Sequence, residues 1–284
     1  MEKISFIKLS AAGNDFILID KKENEDFFPS KDIITRLCDR KNGIGADGIL
    51  VFNNIGNFDF SVEHYNSDGS GNTLCGNGAR CSIYYAKLNG RLAGNEALFL
   101  YNGKQMKGQL LPDDSVKLYF TNPSNIKTNF KIKAAGQLIT SSYADVGSPH
   151  VVIRISDILQ SVKNPDSGYT DINLVPVDRI GKEIRLSKDF APEGTNVNFV
   201  IEKEKFFEIR TFERGVEGET LACGTGIVAS ALICSLKYGI KPPVKFFTRG
   251  KEFLTVDFIR KEKDFEKISL SGPAKQIFTG NFII

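Results

Sequence analysis

One stretch occurs twice in the chain and constrains the fold more than any other feature. The first copy reads Thr73-Leu74-Cys75-Gly76-Asn77-Gly78-Ala79-Arg80, and the second Thr220-Leu221-Ala222-Cys223-Gly224-Thr225-Gly226-Ile227. In each, a cysteine precedes Gly-x-Gly and a helical pattern follows. Ala79, Ile83, Tyr84 and Leu88 continue the first copy, and Ile227, Val228, Ala231 and Leu232 the second. Both sets are spaced for a helix with one buried face. Each cysteine therefore stands at or just before a helix N-terminus, where unpaired backbone N–H groups and the helix dipole favour an anion. Such an environment lowers a thiol pKa below its free value of about 8.5. Two such thiols, one per half, point to a site built with pseudo-twofold symmetry.

The 284 residues suit two domains. Hydrophobic content of 41% and charged content of 25% are those of a soluble globular chain. A net charge of +3, with Lys and Arg scattered, does not argue for nucleic acid. No apolar run approaches the roughly 20 residues of a membrane span. Met1-Glu2-Lys3-Ile4-Ser5-Phe6 lacks the apolar core of a signal peptide, so the expected location is the cytoplasm. Five cysteines without small-scaffold spacing agree with reduced thiols.

Along the chain, Ile4–Lys8 and Phe16–Asp20 read as strands around the turn Ser10–Asp15. Ser30 caps a helix whose face carries Ile33, Ile34, Leu37 and Cys38. Gly43-Ile44-Gly45-Ala46-Asp47-Gly48 runs into the strand Ile49–Phe52 and lacks the ending of a nucleotide-binding loop. Phe58–Asn66 alternates, placing His64 among core residues. After the first motif come strands near 97–101, 105–110 and 116–120. Asn122-Pro123-Ser124-Asn125 reads as the linker. The second half repeats the plan. It has strands near 143–146 and 150–155, a helix from Ser156, a helix over 178–186, and strands over 197–202 and 206–213. The second motif and its helix follow, stopped by Gly239 and Pro242-Pro243, and strands near 244–248, 253–259 and 267–270 close the half. Cys38, Cys81 and Cys234 fall on helix interiors and read as core.

Cys75 and Cys223 admit several readings. Two buried structural thiols would not need the Gly-x-Gly that follows each, which leaves N–H groups open to a ligand. A metal site fits poorly, with no C-x-x-C and two histidines. A redox pair remains open. So does an acid/base pair: a thiolate removes a proton from one face of an α-carbon and a thiol returns one to the other. That sequence inverts a stereocentre without a cofactor, and two helix N-termini would also hold the substrate carboxylate as carbanion charge develops.

The chain resembles the diaminopimelate epimerases, of the cofactor-independent two-cysteine racemase superfamily, over essentially its whole length. The resemblance is carried by eight motifs in order. They are Gly13-Asn14-Asp15-Phe16, Gly43–Gly48, Asn66-Ser67-Asp68-Gly69-Ser70, Leu74–Cys81, Gly147-Ser148-Pro149-His150, Asn196-Val197-Asn198-Phe199, Glu213-Arg214-Gly215 and Glu219–Gly226. It implies an α/β fold of two pseudo-symmetric domains, each a mostly antiparallel sheet or barrel wrapped around a central helix. The domains would be 1–121 plus 272–284, carrying Cys75, and 122–271, carrying Cys223, with the site between them.

The implied activity is interconversion of LL- and meso-diaminopimelate in lysine and peptidoglycan synthesis, with no cofactor and no metal. The partner is a small amino acid, with neither nucleic acid nor membrane, and a homodimer is compatible with it. Cys75 and Cys223 would be the acid/base thiols, assisted by His150 and Glu213. N–H groups of Gly76, Asn77, Gly224 and Thr225 would bind the α-carboxylate. Asn66, Asn196 and Arg214 would hold the distal end, with Arg214 on its carboxylate and Glu213 also against the substrate. Asn14 would lie against the substrate, as would Ser148, where many members have Asn. Ser10-Ala11 replaces the usual His-Gly, and Gly215–Glu219 carries one extra residue. A racemase of another amino acid is the nearest alternative. Asn77 and Arg214 argue against a proline racemase, which commonly has His at the first position and needs no distal cation. A Cys75–Cys223 thiol switch is the alternative from a different class.

Overall fold

The computed structural model describes residues 3–71, 74–262 and 264–283. Thr73 of the first motif, and Met1, Glu2 and Ile284 at the ends, lie outside them. The chain divides into two compact units, Met1–Tyr119 with Ser271–Ile284, and Phe120–Leu270.

In the first unit, β1 (Lys3–Ala11) and β2 (Asn14–Asp20) pair antiparallel, with Leu9 opposite Phe16. Ala12 and Gly13 make the turn at φ 51° and 89°. The helix α1 (Lys31–Cys38) begins on Ser30, whose side chain accepts from the Ile33 N–H, as its sequence predicts. It leads to β3 (Gly48–Ile55), which runs parallel to β2 with Phe16 opposite Gly48. Then β4 (Phe58–Asn66) pairs antiparallel with β3. The helix α2 (Gly76–Leu88) leads to β5 (Glu96–Tyr101), parallel to β4, and β6 (Lys104–Leu110) and β7 (Val116–Tyr119) add antiparallel strands.

The second unit repeats this scheme. After β8 (Asn125–Ala134) and β9 (Gln137–Asp145), β10 (Pro149–Arg154) pairs antiparallel with β9. The helix α3 (Val177–Arg185) precedes β11 (Asn196–Glu202), which is parallel to β10. Next, β12 (Phe207–Glu213) pairs antiparallel with β11, and β13 (Gly218–Thr220) folds back on it. The helix α4 (Gly224–Tyr238) then leads to β14 (Val244–Phe247), parallel to β12, followed by β15 (Phe253–Lys261) and β16 (Asp264–Gly272). The tail forms β17 (Lys275–Ile283), which pairs antiparallel with β1, Ile4 opposite Phe282. The sheets are mostly antiparallel, as expected, with two parallel steps per unit where a helix makes the crossover.

Each sheet is covered twice. In β2, Phe16, Ile17, Leu18 and Ile19 are all buried, because alternate residues face opposite covers. Ile17 and Ile19 pack with Ile34 and Leu37 of α1, whereas α2 packs along β1, β2, β3, β6 and β7. In the second unit Val151, Ile153, Val197 and Phe199 pack with Val177, Ile180 and Ile184 of α3. The central helix α4 carries no charge from Gly224 to Leu236 and is buried from Gly226 to Ser235. Each Ile, Val or Leu it buries stabilises the unit by about 1.5–3 kcal/mol. Gly239 ends it in the left-handed region at φ 69°, its N–H bonded to the Ser235 carbonyl.

Three local expectations need correction. No helix follows from Ser156: Ile155–Asp157 makes one 3-10 turn, and the chain doubles back so that Leu159 bridges Gly168. Pro165 and Gly168 interrupt what otherwise reads as helical spacing. Strand β8 and the first half of β9 were not expected. In β8 an irregularity between Lys127 and Phe130, with Asn129 at φ 59°, breaks the alternation that would reveal it. Strand β13, three residues long, and the tail strand β17 likewise have no strand pattern in the sequence.

Candidate active site

Both motif cysteines are helix N-caps with nearly equal backbone angles: Cys75 at φ −115°, ψ 107° and Cys223 at φ −119°, ψ 109°. Their carbonyls accept the first intrahelical bonds, from Ala79 at 2.9 Å and Ile227 at 3.0 Å. The N–H groups of Gly76, Asn77, Gly224 and Thr225 precede that first bond and have no partner inside the helix. The second glycine of each motif permits close approach to the sheet. A Cβ on Gly78 would strike the Tyr101 hydroxyl and crowd Leu50, and one on Gly226 would run into Oδ1 of Asn198.

In the first unit, the Cys75 sulfur accepts from the Gly78 N–H at 3.5 Å. The Asn77 side chain is buried. Its Nδ2 donates to Oδ1 of Asn14 at 2.5 Å, and its Oδ1 accepts from the buried Arg80 at 2.7 Å. Asn14 in turn donates to Asp47 at 2.9 Å. Arg40 bridges Asp47 and Asp15, and Lys8 pairs with Asp15 at 2.7 Å. Burial alone would raise the Asp15 carboxyl, but Arg40 and Lys8 together hold it at about 2. Asn66 donates through Nδ2 to the Ser70 hydroxyl at the end of β4.

In the second unit, the buried His150 and Asn198 come from adjacent parallel strands. Burial, and then the Arg214 cation, hold His150 down to about 3, so the ring is neutral. Its Nε2 lies 2.9 Å from both Ser148 Oγ and Thr225 Oγ1, and its Nδ1 lies 3.1 Å from Asn198 Nδ2. Thr225 Oγ1 is 3.5 Å from the Cys223 sulfur. Glu213, at the end of β12, also bonds Cys223 and accepts from Thr220 at 2.9 Å. Burial pushes its carboxyl up, against the Thr220 and Cys223 contacts that pull it down. Asn196 spends its amide on backbone, donating to the Pro149 carbonyl at 2.8 Å and accepting from the Arg214 N–H at 2.9 Å. That fixes the start of the Arg214 loop. Arg214 is half-buried as a residue, and its guanidinium bonds the Glu193 carbonyl at 3.4 Å. The longer loop after it is closed by Glu217, which bonds the Gly215 N–H and pairs with Arg185.

Cys38, Cys81 and Cys234 are buried in helices, and burial raises the Cys38 and Cys234 thiols to about 12. Among the described residues no cluster of His, Cys, Asp and Glu could hold a metal, and no helix is long and apolar enough to cross a membrane. In the sequence Asn198 stands out only as part of a motif. Its contact with His150 depends on the β10–β11 pairing, and the Asn-x-Asn spacing that puts it on the Asn196 face was the one available signal.

Residues 6–126 and 142–274 match the family model of diaminopimelate epimerase. The diaminopimelate epimerase of Aquifex aeolicus is 35% identical over 98% of this chain and 97% of its own length. The chain belongs to the diaminopimelate epimerase family. The family's member from Chlorobaculum tepidum is 34% identical, covering 97% of this chain and all of its own. Among solved structures, a PhzF-family phenazine biosynthesis protein of Bacillus anthracis superposes over the full length of both chains with a TM-score of 0.71 at 14% identity. A hydroxyproline epimerase of Agrobacterium vitis gives 0.64 at 11% identity, covering 98% of this chain and 92% of its own. Diaminopimelate epimerases thus share a fold with proteins of other activities, and the likeness to those two carries the fold alone.

Proposed function

We propose that this diaminopimelate epimerase family member interconverts LL- and meso-diaminopimelate by a two-base mechanism using Cys75 and Cys223. The observation that carries this reading is the repeated one: each cysteine caps a helix whose first N–H groups precede its hydrogen-bond ladder. One sulfur, as thiolate, removes the α-proton and becomes a thiol. The other, as thiol, donates its proton to the opposite face of the carbanion and becomes a thiolate. The α-carboxylate takes up negative charge between these steps, and the N–H groups of Gly76, Asn77, Gly224 and Thr225 stabilise it there. No step needs a cofactor or a metal.

Glu213, bonded to Cys223, exchanges that thiol's proton, and its raised pKa suits the task. His150 supports the same end of the site from within the second unit. Arg214 pairs with the distal carboxylate of the substrate. Asn196 acts by holding the Arg214 backbone, Asn66 adds a polar contact, and Asn14 and Ser148 flank the substrate. The location that suits this reading is the cytoplasm, a reducing compartment in which catalytic thiols stay reduced.

The test is incubation of the purified protein in deuterium oxide with LL-diaminopimelate and a panel of other amino acids. The expected result is α-deuterium incorporation and meso product for diaminopimelate alone. Exchange of another amino acid in its place, or none after full reduction, overturns the reading.

A further inference from the structure

The hydrogen bonds behind Cys223 fix where each proton lies. Asn198 Nδ2 is 3.0 Å from the Val151 carbonyl, which can only accept, so the group facing it is the NH2. The Thr211 hydroxyl donates to Asn198 Oδ1 at 3.0 Å, which agrees. The same NH2 faces Nδ1 of His150 at 3.1 Å. Nδ1 must therefore present its lone pair, and the neutral ring carries its proton on Nε2. That N–H points at Thr225 Oγ1 and Ser148 Oγ, both at 2.9 Å. Ser148 donates to Thr225 Oγ1 at 3.2 Å. Thr225 thus accepts twice, and its own hydrogen is left to point at the Cys223 sulfur, 3.5 Å away.

We propose that Asn198 is a positioning residue: it holds His150 as the Nε2–H tautomer, and so directs the Thr225 hydroxyl proton onto the Cys223 sulfur. The proposal deepens the two-base reading and rests on it. A sulfur that receives a hydroxyl donor is stabilised as thiolate. With the proton on Nδ1 instead, Nε2 would accept from Thr225 and take that hydroxyl away from the sulfur. Arg214 and Glu213 are the other charged or titratable groups at this place, and neither touches Nδ1. The first unit carries different residues at the corresponding positions. By strand register, Phe16 stands where His150 does, Leu50 where Asn198 does and His64 where Thr211 does.

Two measurements test this, and neither uses substrate. The chain has two histidines, so 15N NMR of histidine-labelled protein resolves the His150 ring, assigned by its loss in His150→Gln. The expected ring is protonated at Nε2; protonation at Nδ1 overturns the proposal. The second is alkylation by iodoacetamide at neutral pH, with Cys223 and Cys75 peptides counted by mass spectrometry in one sample. Asn198→Leu, which installs the residue of the first unit, should slow Cys223 labelling several-fold and leave Cys75 unchanged. Should that variant not fold, Thr225→Val should slow Cys223 likewise, while Thr225→Ser, which keeps the hydroxyl, should not. Unchanged Cys223 labelling in Thr225→Val or in folded Asn198→Leu overturns the proposal. A wild-type protein with the expected ring but no epimerisation sinks the activity alone; one that epimerises with an Nδ1–H ring sinks the relay alone.

Discussion

Leu50 in the first unit and Asn198 in the second occupy the same place. Each is the third residue of a parallel-paired strand, or of its register equivalent, and each abuts the second glycine of its cysteine motif. Around Gly78 the other neighbours are Phe16 and the Tyr101 hydroxyl, whereas Asn198 links to His150 and Thr211. The two repeats therefore agree in backbone, down to the N-cap angles of Cys75 and Cys223, and differ in polarity behind the thiol. In the two-base reading each sulfur passes through thiol and thiolate in turn, so this difference biases which one holds the proton at rest and is not itself required by the chemistry.

The first expected outcome concerns the thiols. Cys75→Ala and Cys223→Ala should each abolish epimerisation and keep a cooperative unfolding transition, since one thiol cannot serve both faces. Substitution by alanine at Cys38, Cys81 or Cys234 should leave turnover in place and cost at most a few kcal/mol, through small cavities in buried helices. Full activity in either of the first two variants ends the two-base account.

Oxidation gives an independent check. On the two-base proposal the two sulfurs flank one α-carbon, and their approach once the substrate leaves would let them join. Mild oxidant should link Cys75 to Cys223, seen as one cross-linked peptide, and stop turnover, and a reductant should restore it. A thiol-switch protein would form the same bond and show no epimerisation in either state, so the assay after reduction separates the readings.

Much of this was legible in the sequence where a strong local rule operated. The Ser30 cap, the alternation of Phe58–Asn66 and the Gly239 stop give elements whose ends match. The cysteine motifs place both thiols at helix starts because glycine and the apolar run after it leave few other conformations. What was hidden is what depends on pairing between distant strands. Asn198 gains its meaning from a parallel neighbour 48 residues away, and β8 from a hairpin whose outer face is lysine-rich. Neither fact has a signature within a short window. The side chain of Asn77 illustrates the same limit. Its place after Cys75-Gly76 is plain, but its hold on Asn14 and Arg80 is visible only once β1, β2 and α2 are assembled.

Acid should expose His150. In the folded state its pKa is lowered from 6.5 to about 3, while the unfolded ring keeps its ordinary value. Below pH 6.5 the unfolded state binds a proton that the folded state refuses, so stability falls as pH falls from about 6.5 to about 3. At the middle of that window the slope for one proton is about 1.4 kcal/mol per pH unit. His150→Gln should remove one proton from the acid limb of urea-unfolding stability measured between pH 6 and pH 4. An unaltered slope would mean that His150 is protonated in the folded protein, contrary to its buried, neutral state.

Specificity should reside in Arg214. Diaminopimelate differs from lysine by a second carboxylate, and only a group that pairs with that carboxylate can tell them apart. Arg214 is anchored for this work: its N–H is held by Asn196, whose amide is itself tied to the Pro149 carbonyl. A charge-assisted contact to a desolvated carboxylate is worth about 1.5–3 kcal/mol, and a substrate lacking the carboxylate leaves the guanidinium unpaired. The natural protein should therefore turn over lysine poorly. Arg214→Ala should lower kcat/KM for diaminopimelate by roughly two orders of magnitude and narrow the preference over lysine. Asn196→Ala leaves the guanidinium but frees its backbone anchor, so it should give a smaller loss in the same direction. If Arg214→Ala lowers the rate while preserving the preference, the distal carboxylate is read by another group, and Arg214 serves the loop rather than the substrate.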